Sequence, residues 1–256
     1  MTTDPQTLVT VATYNEIENL PRLVDTIFDA APEVHILVID DNSPDGTGRW
    51  VDQRAAEEPR LKCLHREGKL GLGTATLAGM RYGIEHGYRY VLNLDADFSH
   101  PPEKIPELIA AMDPEDGPPA DVAVGSRYVP GGKIEGWPPH RRLMSWGVNT
   151  YARLLLGLPV RDCSGAFRCY RASTLARVDF RLVRSRGYSF QEEILYWLRC
   201  VGARMVEVPI TFVDRRFGKS KINWKEAVAA LGILAWIGLR RPFCRPYAPT
   251  ERRKAG

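Results

Sequence analysis

The chain has 256 residues, 44% of them hydrophobic, and a formal net charge of +4. That apolar content excludes a disordered chain and suffices for one large α/β domain or two small ones. The charge is unevenly placed: residues 210–256 carry eleven Lys/Arg against three acids, a net +8, while the remainder carries −4. A basic segment of this kind points to an anionic partner, whether nucleic acid, phospholipid headgroups or a phosphorylated substrate. Five cysteines (Cys63, Cys163, Cys169, Cys200, Cys244) form no CxxC pair and no zinc spacing, and read as mostly buried, reduced thiols of a cytoplasmic compartment. The amino terminus has neither a basic n-region nor an apolar h-region, so no signal peptide is expected.

Leu8 to Ala12 is a short β-rich run, and Glu16 to Ala31 has helical spacing through Ile17, Leu20, Leu23, Val24, Ile27 and Phe28. Ile36 to Ile39 is a continuous apolar strand that ends in Asp40-Asp41. The turn Asp45-Gly46-Thr47 introduces a helix from Gly48 to Glu57. A strand over Leu61–Leu64 follows, then Gly71-Leu72-Gly73-Thr74 opens a helix to about His86. Tyr90 to Leu94 is a buried strand running into Asp95; a helix from Glu103 to Met112 and a strand over Val122–Val124 come next. This alternation predicts an α/β fold with a mostly parallel central sheet and helices on both faces. Beyond the Pro/Gly/acid loop Asp113–Ala120 the pattern is less regular: a helix around Leu143–Leu156, a strand Ala166–Tyr170, a helix Gln191–Val201 and a strand Met205–Phe212. The last helix, Trp224–Leu239, has an uninterrupted apolar part of 13 residues, Ala227–Leu239, short of the roughly 20 that span a bilayer. Bracketed by Lys221, Lys225, Arg240 and Arg241, it suits either an interfacial element on an anionic membrane or a helix packed on the domain.

In sheets of this kind ligands bind outside the carboxyl ends of the strands. The polar residues fall there: Thr13-Tyr14-Asn15-Glu16, Asp40-Asp41, Asp95-Ala96-Asp97 and Gly125-Ser126-Arg127. Asp95 and Asp97 bring two carboxylates into one loop, stiffened by Pro101-Pro102. Such oxygen ligands beside a diphosphate favour Mg²⁺ or Mn²⁺. Gly71-Leu72-Gly73 lacks the GxGxxG spacing of dinucleotide folds and follows the third strand; it suits either a tight turn into a helix or, with Lys69, the edge of a nucleotide site. Arg127, Arg141, Arg142, Arg215 and Lys221 offer guanidinium forks and a point charge for phosphate oxygens.

These motifs resemble the family-2 inverting glycosyltransferases of the GT-A fold, and among them the polyprenol-phosphate (dolichol-phosphate) mannose synthases. The residues that carry the resemblance include Thr13–Glu16, Val38–Thr47, Gly71–Ala75, Asp95–Pro102, Gly125–Tyr128, Ser189–Glu193, Val208–Arg215 and Gly218–Lys221, in the family's order over residues 8 to about 225. The resemblance implies GDP-mannose as donor and a polyprenyl phosphate as acceptor. Tyr14, Glu16 and one of Asp40/Asp41 would hold the nucleoside, with Thr13, Lys69, Gly71 and Ala96 completing the donor site. Asp95 and Asp97 would bind Mg²⁺ or Mn²⁺, with Ser99 nearby. Arg127, Arg141, Ser145, Arg215 and Lys221 match positions that contact donor or acceptor phosphate. Asp97, Arg127, Arg141, Arg215 and Lys221 are therefore the expected catalytic set.

A phosphate monoester, with a second pKa near about 6, is largely dianionic at neutral pH and needs no strong general base. None of the five histidines sits in a motif that demands catalysis. The expected organisation is a catalytic domain over 1–223, an apolar helix over 224–242, and a basic tail over 243–256. The expected location is the cytoplasmic face of a membrane, held directly or through a separate anchor subunit. Two alternatives stand beside this: a polyprenyl-phosphate glucosyltransferase using UDP-glucose, and a non-enzymatic nucleic-acid- or membrane-binding protein. No aromatic-basic recognition module supports nucleic acid as the partner.

Overall fold

The computed structural model describes residues 6–187, 189–214, 232 and 234–239. Five strands run parallel in the first half: β1 (Thr7–Thr13), β2 (His35–Asp40), β3 (Leu61–His65), β4 (Tyr90–Asp95) and β5 (Val122–Ser126). Between them lie α1 (Leu20–Ala30), α2 (Thr47–Glu57), α3 (Leu72–Glu85) and α4 (Ile105–Ala110). Then come β6 (Lys133–Glu135), α5 (Pro139–Leu156), β7 (Arg168–Arg171), α6 (Ala172–Leu175), α7 (Phe190–Cys200), β8 (Met205–Pro209) and β9 (Thr211–Val213). The main sheet has the order β3-β2-β1-β4-β7-β5-β8. Only β7 runs antiparallel, against both β4 and β5.

The apolar runs read from the sequence are interior strands covered on both faces, which is why they lack polar alternation. Their side chains still alternate between faces. Val9, Val11, Ile36, Val38, Leu92 and Leu94 meet Leu20, Leu23, Val24 and Ile27 of α1, and Ile105 and Leu108 of α4. On the other face Leu8, Leu37 and Ile39 meet Ala75 of α3. There too Val91, Val122 and Val124 pack with Met80, Ala152, Leu156, Phe190 and Ile194.

Some boundaries differ from expectation for local reasons. Residues 16–19 form a turn ahead of α1, which takes Pro21 in its first turn, a position suited to a residue without an N–H. The stretch expected as one helix over Glu103–Met112 starts as a 3₁₀ turn, Pro102–Lys104, and becomes α-helical only from Ile105. Pro106 lacks the N–H that would bond back to residue 102, and the Ile105 N–H takes the Pro102 carbonyl instead. The single strand expected over Met205–Phe212 is two. β8 pairs with β5 as far as Pro209, and β9 then pairs with β6 in a second, two-stranded sheet. Between them the Ile210 N–H donates to the Ser126 carbonyl and its own carbonyl accepts from Lys133 N–H, so Ile210 bridges both sheets.

Cys63, Cys163 and Cys169 are free thiols, while Cys200 is disulfide-bonded, a departure from the reduced state expected there. Of the helix expected over Trp224–Leu239, residues 234–239 are helical, with Leu234 and Ile237 buried in the core beside α5 and α7. Apart from Gly232, the rest of that segment, the basic tail, Arg215, Lys219 and Lys221 lie outside the described residues. Among the described residues no helix is long and apolar enough to cross a membrane.

Candidate active site

Because β1, β2, β4 and β5 are parallel, their carboxyl ends share one edge. The registers set Thr13 beside Asp40 and Ala12 beside Asp95. At that edge the loops after β1 and β2 are stitched together. The backbone N–H groups of Asn15, Glu16 and Ile17 donate in turn to Ser43 Oγ, Thr47 Oγ1 and Asp45 Oδ2, at 3.0, 3.1 and 3.1 Å. Asn15 has φ +59° and Asn42 φ +58°, a left-handed conformation that asparagine tolerates better than most residues.

The two aspartates after β2 have different surroundings. Asp40 is buried and accepts from Thr13 Oγ1 and Ser43 N–H, both at 3.0 Å, and from the Ser43 hydroxyl. Asp41 pairs with Arg66, Nε to Oδ1 2.9 Å, with both side chains nearly covered. Burial pushes the Asp41 carboxyl up, against the pull of Arg66. Arg66 also donates to Thr74 Oγ1 at 2.9 Å, tying this loop to the start of α3. Lys69 Nζ lies 4.9 Å from the centroid of the Tyr14 ring, within cation–π range. Glu16 accepts from Asn19 Nδ2 at 3.0 Å.

The glycines at 71 and 73 have a reason in packing. A Cβ on Gly71, whose φ is +102°, would stand 2.5 Å from the Arg186 carbonyl oxygen, and one on Gly73 would stand 2.8 Å from Phe190 Cβ and from the Ser185 carbonyl oxygen. The Gly73 N–H donates to Arg186 O at 2.9 Å. The amino end of α3 is thus partly engaged by the chain that leads into α7. Gly71→Ala is expected to destabilise the fold by about 1–3 kcal/mol, measured by urea unfolding, since the substitution meets both strain and a fixed carbonyl.

Asp95 closes β4 and Asp97 follows across the buried Ala96. Phe98 has φ +59°, and the Ser99 N–H donates to Asp97 Oδ1 at 3.1 Å, closing the turn. Buried Ser99 thus acts on Asp97 through its backbone, and its carbonyl accepts from Val213 N–H of β9. Behind the turn His100 is buried and accepts the Asp95 N–H through Nδ1 at 3.3 Å. Burial pushes its pKa down to about 4, so it is neutral at pH 7 with the proton on Nε2. His100 packs on Phe167 and Phe212, and Phe212 packs on Trp137. This aromatic chain backs the carboxylate loop; nothing local in the sequence announces it. Two acidic side chains on a rigid strand end, with hard oxygen donors, are the set that Mg²⁺ or Mn²⁺ uses beside a substrate diphosphate.

Arg127 follows β5 and is buried. It forms a fork with Asp162, Nε–Oδ2 and Nη2–Oδ1 both 2.7 Å, and Nη2 also donates to Ser164 Oγ at 2.9 Å. Its charge is felt as far as Asp95. Arg141, in the first turn of α5, stacks on Trp137 at 4.1 Å and pairs with Asp214 at 2.9 Å. Ser145 accepts from Tyr128 OH at 2.7 Å. Between β6 and α5 lies an open cleft of about 660 Å³ lined by Arg127, Tyr128, Lys133, Arg142, Leu143 and Trp146 among others. Its wall carries cationic and apolar side chains together with one acid, Glu135.

Residues 8–178 match glycosyl transferase family 2. The chain belongs to that family. It is 46% identical to an undecaprenyl-phosphate mannosyltransferase of Micrococcus luteus, over 91% of this chain and 97% of that protein. It is 44% identical to a polyprenol monophosphomannose synthase of Mycolicibacterium smegmatis, over 92% and 88%. The fold is that of a glucosyl-3-phosphoglycerate synthase of Mycobacterium tuberculosis solved with Mn²⁺ and UDP, with TM-score 0.58, 17% identity and coverage of 93% of this chain and 79% of that one. A mannosyltransferase of Pyrobaculum calidifontis solved with GDP-mannose and Mn²⁺ shares it at TM-score 0.55 and 16% identity, over 96% and 73%. This family-2 glycosyltransferase therefore has the GT-A architecture that its motifs implied, with the motif carboxylates on one sheet edge.

Proposed function

We propose that this glycosyltransferase moves mannose from GDP-mannose to a polyprenyl phosphate with inversion, giving a polyprenyl β-mannosyl phosphate and GDP. What carries the reading is the position of the cleft between β6 and α5. Arg127 lies in its wall directly after β5, and β5 and β4 end on the same sheet edge, so an acceptor in the cleft lies toward the carboxylates that follow β4. Lys133 and Arg142 suit a phosphate head, and Leu143 and Trp146 an isoprenoid chain. The high identity to the two polyprenyl-phosphate enzymes supports the same substrates here.

In this reading Tyr14, Glu16, Lys69 and the Asp41–Arg66 pair face the nucleoside, while Asp40 holds the loop that presents them. Asp95 and Asp97 hold Mg²⁺ or Mn²⁺, which when bound stabilises the charge on the departing diphosphate. Arg141, together with Arg215 and Lys221 of the segment outside the described residues, draws two anions together that otherwise repel. The acceptor phosphate supplies its own nucleophilic oxygen, so the site needs alignment and charge neutralisation more than a base. Residues 1–223 form the catalytic domain, and the enzyme works at the surface of a membrane, where its acceptor resides.

The test is transfer of radiolabelled sugar to a synthetic polyprenyl phosphate, with GDP-mannose and UDP-glucose compared, each with and without EDTA. The expected result is transfer from GDP-mannose alone, lost with EDTA and restored by Mg²⁺ or Mn²⁺. Transfer from UDP-glucose alone would replace the donor assignment, and EDTA-resistant transfer would remove the metal.

A further inference from the structure

A second set of ligating side chains gathers at the outer edge of the main sheet. Strand β3 is that edge, three strands from β4 and its carboxylates. Cys63 and His65 stand two residues apart on β3, so their side chains leave the same face. Cys63 packs against the core layer that holds Val51 of α2, whereas Leu64 between them packs with Leu8 and Leu37 in the opposite layer. The shared face is therefore the one that α2 covers. Asp52 of α2 meets it there, with Oδ1 2.9 Å from His65 Nε2. On the other side of the ring Cys63 Sγ lies 3.9 Å from His65 Nδ1. Taking one ligand atom from each residue, the thiol, the imidazole and the carboxylate all lie within 4.8 Å of one another, the one such group of three among the described residues.

The local packing leaves room for the ring. A Cβ on Gly48, one turn before Asp52, would stand 3.1 Å from His65 Cε1 and 3.2 Å from His65 Nδ1. Glycine at that position lets the imidazole lie against the first turn of α2. Around a tetrahedral Zn²⁺, with Zn–S about 2.3 Å and Zn–N and Zn–O about 2.0–2.1 Å, ligand atoms stand roughly 3.3–3.6 Å apart. The three groups reach that spacing by side-chain movements of about an ångström. The side chains of His65 and Asp52 are 51% and 54% exposed, which leaves them free to turn and leaves the last position open to water. An exposed His–Asp pair alone contributes little; the half-buried thiol beside it turns the pair into a ligand set. That set is soft where the Asp95/Asp97 edge is hard. Thiolate with imidazole selects Zn²⁺ and its neighbours over Mg²⁺, and a purely oxygen site does the reverse.

We propose that Cys63, His65 and Asp52 form a Zn²⁺ site, separate from the carboxylate edge and completed by a water. The Cys63 thiol gives its proton to solvent as the Zn–S bond forms. The bound ion fastens the edge strand to α2. It also steadies the residue that follows His65: Arg66 donates its N–H to the Asp40 carbonyl at 2.8 Å and pairs with Asp41 through its side chain. The inference goes beyond the transferase reading and does not depend on it.

The experiment is titration of the reduced full chain with Co²⁺ in the presence of excess Mg²⁺, followed by the ultraviolet charge-transfer absorption that only a thiolate ligand gives. The band is expected to saturate at one ion per chain and to disappear on addition of Zn²⁺. It should be lost in Cys63→Ser, and half-saturation should rise at least about tenfold in His65→Gln and in Asp52→Asn. Zn²⁺ should raise the Tm of wild type and leave that of His65→Gln unchanged, a readout that holds even if Cys63→Ser folds poorly. Absence of the band in wild type overturns the site. So does a band that survives in His65→Gln and Asp52→Asn at unchanged half-saturation, because Cys63 would then act alone. Asp97→Asn should keep the band in full; its loss there would place the ion on the carboxylate edge and remove the second site, whereas failure of EDTA to stop sugar transfer would bear on the carboxylate edge alone.

Discussion

Asp97→Ala should lower the rate of sugar transfer by at least about a hundredfold at saturating donor, the scale on which groups that stabilise developing charge act. The carboxylate has two duties in the structure. One belongs to the proposed reading: with Asp95 it gives the strand edge the negative charge that would hold a divalent cation, and the cation would neutralise the diphosphate. The other is local: Oδ1 accepts the Ser99 N–H and holds the left-handed turn at Phe98. Alanine removes both, so it cannot tell them apart. Asp97→Asn can, because its amide oxygen still accepts from Ser99 while the charge is gone. If ligation is what matters, the asparagine variant is nearly as inactive as the alanine one and unfolds at the same urea concentration as wild type. If the asparagine variant turns over near the normal rate, the metal assignment is wrong and Asp97 is a turn residue only. Titrating Mn²⁺ into both variants adds a readout independent of turnover, since the half-saturating concentration should rise steeply in each.

The parts of this fold legible in the sequence are those written in local pattern. The apolar runs Ile36–Ile39 and Tyr90–Leu94 could only be buried strands, and the helical spacing of Leu20, Leu23, Val24 and Ile27 left one face for the core. Alternation of these elements implied parallel strands, and parallel strands put Thr13, Asp40 and Asp95 on one edge. Direction and partnership were not legible. Nothing within Arg168–Arg171 says that it inserts antiparallel between β4 and β5, because that choice depends on strands about 45 and 75 residues earlier in the chain. The split of Met205–Phe212 depends on β6, a three-residue strand with no pattern of its own. In the site, the sequence supplied Arg127 but not Asp162, and Asp95 but not His100 behind it. The reason is the same in both cases. A buried polar side chain is defined by the partner that satisfies it, and the partner's distance along the chain carries no periodic signal.

Asp162→Ala is expected to produce the largest loss of stability of any single substitution near the site, about 3–5 kcal/mol, or a fall in Tm of roughly 6–20 °C for a domain of this size. The Asp162 side chain is fully covered and accepts from the Arg127 guanidinium, from Arg127 N–H and from Gly165 N–H. Burial pushes its carboxyl up, but Arg127 more than offsets that and holds it below the ordinary value. The pair's stabilisation is therefore present above about pH 4 and fades as the pH falls through the folded-state value. Deleting the acid strands a buried cation and two backbone donors, whereas deleting both partners does not. Arg127→Met with Asp162→Leu should therefore recover much of the lost stability, since apolar side chains of similar volume can replace a buried pair at little cost. That double variant also separates folding from chemistry. If it is stable but transfers no sugar, the Arg127 charge near Asp95 belongs to the reaction. If it is stable and active, the fork is a structural clamp and the phosphate-neutralising charge must come from other cations such as Arg141, Arg215 and Lys221. Should Asp162→Ala unfold at the wild-type urea concentration, the buried fork contributes nothing and the account of this loop fails.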